Sequence, residues 1–246
     1  MDEATLAFAR EHVGDDVNRL LLSGCDGVDA RAAARQIEGL RTAQTKWPSL
    51  AACANVEYPP RLNCEQSSSE ATARYKAAIA ARLMQGGGVA ATVADLTGGM
   101  GIDSWAMAAV AERVHYVELD AALCDLARRN FAALGVRNIS THCADGIAWL
   151  GAQNEQFGLI YIDPSRRDVS GRRTVALEHC RPDVLQAWPL LTSRAGRVMV
   201  KAAPMIDLAA ATAQLGDVAE VHVVAVGGEC KEVLMVSGQA PEPVVT

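Results

Sequence analysis

Val93-Ala94-Asp95-Leu96-Thr97-Gly98-Gly99-Met100-Gly101-Ile102-Asp103 is the stretch on which the reading of this chain turns. The apolar run Val89–Leu96 leads into three closely spaced glycines, and helix-compatible sequence follows. A short strand, a tight turn and a helix start together read as one βα unit of an open α/β sheet. Glycine permits backbone conformations closed to other residues and lets a ligand approach the main chain. The N–H groups that open the helix favour a carboxylate or phosphate. A tight turn alone needs no ligand, so its meaning depends on its surroundings.

Downstream, six more apolar runs follow: Val114–Leu119, Ile139–Cys143, Leu159–Ile162, Arg197–Val200, Val221–Val226 and Val233–Val236. Between Leu119 and Ile139 lies a helix. Asp120 caps it, Leu123, Leu126, Ala127, Phe131 and Leu134 share a face, and Gly135 follows its end. A second helix runs from about Asp207 to Leu215, closed by Gly216. Strand–helix alternation predicts a mainly parallel sheet covered on both faces. Only Gly227-Gly228 separates the last two runs, which predicts a hairpin and one antiparallel strand. The expected fold class is therefore α/β. It is a Rossmann-like, seven-stranded, mostly parallel sheet with a terminal antiparallel hairpin, preceded by a small helical N-terminal domain.

Upstream, residues 1–85 lack strand signals. Asp29 can cap a helix reaching Lys46, with Ala33, Ile37 and Leu40 on one face, and Trp47-Pro48 ends it. Residues 50–66 contain Pro59-Pro60 and read as a connector. Ser67-x-x-Glu70 has the form of a capping box. It predicts a helix with an Ala71, Tyr75, Ile79, Leu83 stripe, stopped by Gly86-Gly87-Gly88. The division expected is 1–66, a helical domain, and 67–246, the sheet domain with its leading helix.

Half of the 246 residues are apolar, enough for one large core or a core with a satellite. The net charge is −6, which does not announce nucleic acid. From Leu159 to Lys201, however, eight basic residues face four acids. A local basic face serves a polyanion even on an acidic molecule. The seven cysteines form no C-x-x-C pair, so neither a metal site nor a disulfide scaffold is expected. No stretch approaches the roughly 20 apolar residues of a membrane span, and no apolar leader follows Met1. The expectation is a cytoplasmic protein with reduced thiols, no metal and no membrane partner.

Four successive predicted strand ends carry an acid: Asp95, Glu118, Asp145 and Asp163. Ligands of open α/β sheets bind outside the carboxyl ends of the strands. Glu118 is placed to accept hydrogen bonds from ribose hydroxyls. Asp145, followed by Gly146, is placed for an adenine amino group. Together they favour a nucleoside site.

From Val89 to Val236 the chain resembles the class I S-adenosylmethionine-dependent methyltransferases. Asp95-Leu96-Thr97-Gly98-Gly99-Met100-Gly101 looks like their first motif, Glu118 like their ribose-binding acid and Asp145 like their adenine-side acid. The resemblance implies S-adenosyl-L-methionine as cofactor, held by Asp95, Thr97, Gly98, Gly99, Gly101, Asp103, Glu118, Leu119, Asp145, Gly146 and Asp163. Asp163-Pro164-Ser165-Arg166 is similar to the Asp/Asn-Pro-Pro-aromatic motif of enzymes that methylate exocyclic or amide nitrogen. It implies a catalytic role for these four residues. The second proline is replaced by Ser165, and the stacking aromatic by Arg166, whose plane can itself stack on a base. More narrowly, four segments resemble a bacterial family of methyltransferases with a THUMP-like domain. They are Glu65–Glu70, the glycine motif, Tyr161–Asp168 and Gly228–Glu232. That family carries a further C-terminal domain.

An exocyclic amine has its lone pair delocalised into the ring. It needs an oxygen to accept its hydrogens and a frame to align it with the methyl. Asp163 is the candidate acceptor, with the Pro164 carbonyl region assisting. Arg166, Arg167, Arg172 and Arg173 are candidate phosphate contacts for RNA. Thr72 and Lys76, on the leading helix, are further substrate candidates. Lys201 reads as a solvated strand end. His115, His142 and His222 read as structural, and Cys143 and Cys230 lack the Pro-Cys context of a base-methylating nucleophile. The favoured reading is an N-methyltransferase acting on RNA. Protein or small-molecule methylation and a non-catalytic binding module are the alternatives. A nicotinamide dehydrogenase is disfavoured because Ser104 replaces the third glycine of that fingerprint.

Overall fold

The computed structural model describes residues 1–25, 27–85, 91–165, 177–240 and 243–246. Six helices come first: α1 (Glu3–Glu11), α2 (Val17–Ser23), α3 (Ala30–Lys46), α4 (Pro48–Ala52), α5 (Arg61–Gln66) and α6 (Glu70–Met84). Strands and helices then alternate as β1 (Thr92–Asp95), α7 (Ile102–Ala108), β2 (Arg113–Glu118), α8 (Ala121–Ala133), β3 (Ile139–Cys143) and α9 (Gly146–Gly151). They continue through β4 (Phe157–Ile162), α10 (Val184–Arg194), β5 (Ala195–Ala202) and α11 (Leu208–Leu215). Three strands close the chain: β6 (Val218–Val226), β7 (Glu229–Ser237) and β8 (Val244–Val245).

One sheet holds all eight strands in the order β3-β2-β1-β4-β5-β7-β6-β8. Strands β1 to β5 are mutually parallel, and β7 is antiparallel to both β5 and β6. Among the described residues the count is eight, not the seven expected. Val244–Val245 pairs in parallel with Glu220–Val221, so the β6–β7 hairpin is not the end of the sheet. Two valines are too few to show a strand period. The order reverses between β1 and β4, which opens a crevice at their carboxyl ends, where ligands of such sheets bind.

Asp29, Asp120 and Asp207 each cap the helix that follows, as their side chains suggest. The connector expected over 50–66 contains part of α4 and all of α5. The capping box is also placed differently. Ser69, not Ser67, accepts from the Thr72 backbone N–H at 3.2 Å. Glu70 instead binds the Ser49 amide at 2.9 Å and the Ser49 hydroxyl at 2.6 Å.

The buried face of α6 is not the apolar stripe. Tyr75 is partly exposed, and the inward residues are Glu70, Thr72, Ala73, Lys76, Ala77, Ile79 and Ala80. Polar groups win those places because partners await them across the interface. Leu40, Ala43, Trp47, Leu50 and Tyr58 share one apolar cluster with Ala73, Ala77, Met100, Ile102 and Ala106. The N-terminal helices therefore pack directly on α6 and α7. Glu57 strengthens the junction: its carboxylate takes two hydrogen bonds from Arg129, at 2.7 and 3.0 Å. Asn130 pairs with the Glu57 backbone at 2.9 and 2.8 Å.

Candidate active site

The glycine loop follows β1 and is held from several sides. Thr97 Oγ1 accepts from the Asp163 amide at 2.7 Å, which ties the end of β1 to the end of β4. The Gly99 amide donates to Glu118 at 2.7 Å, and the Tyr116 hydroxyl donates to the Gly99 carbonyl at 2.6 Å. Gly101 takes φ +86° as the N-cap of α7. A Cβ on Gly98 would sit 2.2 Å from the Tyr116 ring, and one on Gly146 would sit 2.2 Å from the Leu96 carbonyl oxygen. Both glycines are required by close approach, not merely tolerated.

Asp95 lies beneath this loop, fully buried, accepting from Ser104 Oγ at 2.6 Å and from the Thr97 amide at 3.2 Å. Burial lifts its carboxyl to about 7, against the pull of the Ser104 hydrogen bond. Asp95 thus supports the loop from inside. Ser104, the residue that departs from the dehydrogenase fingerprint, is its hydroxyl partner.

Across the crevice, a cavity of about 350 Å3 opens at the ends of β4 and β5. Asp163 and Pro164 form one wall, Lys201 and Glu232 another, and Lys46 with Gln66–Ser69 and Thr72 the far side. Lys201 Nζ donates to Asp163 Oδ2 at 2.5 Å and lies 3.8 Å from Glu232 Oε2. Lys76 is wholly buried behind them. Its ammonium donates to Glu232 at 2.8 and 3.0 Å and to Ser68 Oγ at 2.8 Å, and lies 3.1 Å from Asp103 Oδ1. Asp103 Oδ2 accepts from Ser68 Oγ at 2.8 Å and from the Tyr161 hydroxyl at 3.1 Å.

Two lysines and three carboxylates therefore form one connected cluster. Burial opposes ionisation of Asp103, but Lys76 and Lys201 outweigh it and hold the carboxyl below its ordinary range. Burial also works against Lys201, yet Asp163, Asp103 and Glu232 hold its ammonium above the usual lysine range. At Glu232 burial prevails over both lysines and raises the carboxyl. Lys46, at the outer wall, donates to the Cys64 and Glu65 carbonyls at 2.7 and 3.0 Å, and burial lowers it to about 8.

The structure thus divides the residues named from the sequence. Thr97, Gly98, Gly99, Gly101, Glu118, Leu119, Asp145 and Gly146 line up along the carboxyl ends of β1 to β3. Asp163, Pro164 and Thr72 line the cavity. Asp103 faces the buried cluster and Lys76 is its centre, so Lys76 is not a substrate contact. Lys201 is not a solvated strand end, because Asp163 and Glu232 enclose it. Ser165 forms an isolated antiparallel bridge with Arg181, donating to its carbonyl at 2.7 Å. A second proline at 165 would lack that donor, which explains the departure from the usual tetrapeptide. Arg166, Arg167, Arg172 and Arg173 lie outside the described residues. Glu232, Ser68 and Tyr161 were not singled out, although each lies inside a segment quoted for the resemblance.

No protein-family model matches the chain. It is 30% identical over 181 residues to an uncharacterized S-adenosylmethionine-dependent methyltransferase of Mycobacterium tuberculosis, in strains CDC 1551 and H37Rv. That match covers 73% of this chain and 47% of the relative, so the chain spans about half the length of the curated relatives it matches. A crystal structure from Porphyromonas gingivalis W83, assigned as a methyltransferase, superposes with TM-score 0.80 at 30% identity. It covers 98% of this chain and 59% of that one. The chain has the fold of the class I S-adenosylmethionine-dependent methyltransferases. An rRNA methylase of Streptococcus thermophilus shares the fold alone, with TM-score 0.50 and 14% identity over 67% of this chain and 95% of that one.

The residues at these strand ends fit S-adenosylmethionine, the cofactor of the proteins that share this fold. At Gly99, with φ +53°, a Cβ would meet nothing nearer than the Thr97 carbonyl oxygen at 3.9 Å among the described residues, so the backbone there is open to a ligand. Glu118 offers carboxylate lone pairs at the end of β2, and Leu119, 71% exposed, offers apolar surface beside it. Asp145 and Gly146 open α9 at the end of β3. Among the described residues, no helix is long and apolar enough to cross a membrane, and no group of three or more His, Cys, Asp or Glu is arranged to hold a metal.

Proposed function

We propose that the chain methylates an exocyclic base amine in RNA, using S-adenosylmethionine. One observation carries the reading. Asp163 stands at the mouth of the cavity with Oδ2 engaged by Lys201 and with no partner at Oδ1 among the described residues. S-adenosylmethionine, when bound, supplies a methyl group on an electrophilic sulfonium. Asp163 Oδ1 accepts a hydrogen of the target amine and helps its nitrogen become pyramidal. Thr97 fixes the Asp163 backbone, so the oxygen is aimed before the acceptor arrives. The methylated amine then loses its proton readily, and no strong base is needed.

RNA is favoured over protein or small molecules by the tetrapeptide's similarity and by the basic stretch from Leu159 to Lys201. A base within a duplex would have to be extruded to reach the cavity. Kinship with the THUMP-like methyltransferases belongs to the same proposal. In its support, the Glu65–Glu70, Tyr161–Asp168 and Gly228–Glu232 segments all contribute residues to the cavity wall. The test is methyl transfer from labelled S-adenosylmethionine to total RNA, with nucleoside mass spectrometry in a strain lacking the protein. A missing N-methylated nucleoside supports the reading. An unchanged nucleoside profile, with no label in RNA, refutes it.

A further inference from the structure

The acceptor end of the cavity presents a matched donor and acceptor. Lys201 makes one hydrogen bond, to Asp163, and its side chain is only 12% exposed. Its other two N–H groups have no hydrogen-bond partner among the described residues, since Glu232 at 3.8 Å is an ion pair beyond that range. Beside it, Asp163 Oδ1 has no hydrogen-bond partner among the described residues. Buried polar groups are normally satisfied, so adjacent unfilled valences facing one cavity describe the ligand that would fill them. Glu232, itself pinned by Lys76, limits where the Lys201 ammonium can move.

We infer that Lys201 reads the atom next to the target nitrogen, and so restricts the acceptor to a planar N=C–NH2 or O=C–NH2 unit. This rests on the N-methylation reading and narrows it. Asp163 accepts from the amine, while Lys201 donates to the neighbouring ring nitrogen or carbonyl oxygen. An aromatic amine with a C–H in place of that neighbouring acceptor leaves Lys201 unpaired. An alkyl ammonium meets the Lys201 charge directly. Leaving buried partners unpaired in this way is what makes hydrogen-bonding sites selective.

The test is ligand-observed NMR titration of the full chain, with S-adenosylhomocysteine present to fill the cofactor side. The probes are 4-aminopyrimidine and 2-aminopyridine against aniline, which lacks the ring nitrogen beside its amine, and butylamine. 4-Aminopyrimidine and 2-aminopyridine should bind at least about tenfold more tightly than aniline and butylamine. Lys201→Met should erase most of that preference, and Lys201→Arg should keep it. Equal binding of aniline or butylamine, or no binding of any probe, overturns the inference. So does a folded Lys201→Met protein that still discriminates. Should Lys201→Met not fold, the wild-type series and Lys201→Arg decide. A normal probe preference without methyl transfer to RNA would count against the RNA reading and leave the Lys201 assignment standing.

Discussion

The two halves of the crevice are built from different materials. Along β1 to β3, the cofactor half is shaped by backbone: glycines without Cβ atoms, amides on Glu118, and a tyrosine hydroxyl on a carbonyl. Along β4, β5 and β7, the acceptor half is shaped by buried charge, with Lys76 and Lys201 set among Asp103, Asp163 and Glu232. Backbone contacts give a fixed shape, suited to a ligand that does not change. Charges in a low-dielectric setting give a strong directional field, suited to orienting a reacting group.

If that contrast holds, the acceptor half should be the costlier to damage. Lys76→Met leaves Glu232 and Asp103 buried without their main cation and should cost about 3–5 kcal/mol of stability. Urea denaturation measures it. Pairing the change with Glu232→Gln should recover part of the loss, because it removes one uncompensated charge. A loss below about 1 kcal/mol for the single variant would mean the cluster is not holding this half together.

Next in size is the separation of chemistry from cofactor binding. Asp163→Asn keeps the shape and the Thr97 contact but removes the carboxylate. Methyl transfer should fall about 10²- to 10³-fold in kcat. Affinity for S-adenosylhomocysteine, read by calorimetry, should stay close to wild type. Equal losses in both would merge the two halves into one. Smaller still is Gly98→Ala, which forces a Cβ to within 2.2 Å of the buried Tyr116 ring. It should cost about 1–3 kcal/mol in stability and weaken the cofactor, with kcat at saturation little changed.

The contrast also explains which parts were legible in sequence. The cofactor half is written in short range: Asp95 to Asp103 is one turn, and Glu118 and Asp145 mark strand ends that periodicity reveals. The mostly parallel sheet and its antiparallel β6–β7 pair followed from strand–helix alternation and the Gly227-Gly228 link. The acceptor half is written in long range. Lys76 and Glu232 are 156 positions apart. A lysine on an alanine-rich helix looks like surface until its partners are known. The same reason misplaced Lys201. The misread face of α6 has this cause too, since Thr72 and Lys76 are inward only because Ser68, Asp103 and Glu232 meet them. Strand β8 and the real cap at Ser69 were lost to brevity, where several short alternatives satisfy the same pattern.

The smallest expected effect concerns how each half answers to acid. The cofactor half also contains an aromatic cluster, with the Glu155 carboxylate 3.7 Å from His115 Nε2 at its edge. The His115 and His142 rings stack at 5.3 Å, with His115 Nδ1 and His142 Nε2 3.1 Å apart, and Trp149 and Phe157 pack around them. Burial lowers both imidazoles from their ordinary 6.5. A group whose folded-state pKa lies below its unfolded value stabilises the fold above the unfolded pKa. That stabilisation fades as pH falls from about 6.5 toward the folded value. Tm should therefore drop between pH 7.5 and 5 by an amount to which this pair contributes. His142→Phe keeps a ring against Trp149 and removes one titrating group, so its Tm should fall less steeply over that window. The comparison must be variant against wild type, because Glu57, Glu70 and Glu220 also lose favourable partners in acid. Parallel Tm curves for the two proteins would show that His142 is as easily protonated in the fold as outside it, and would remove the pH difference between the halves.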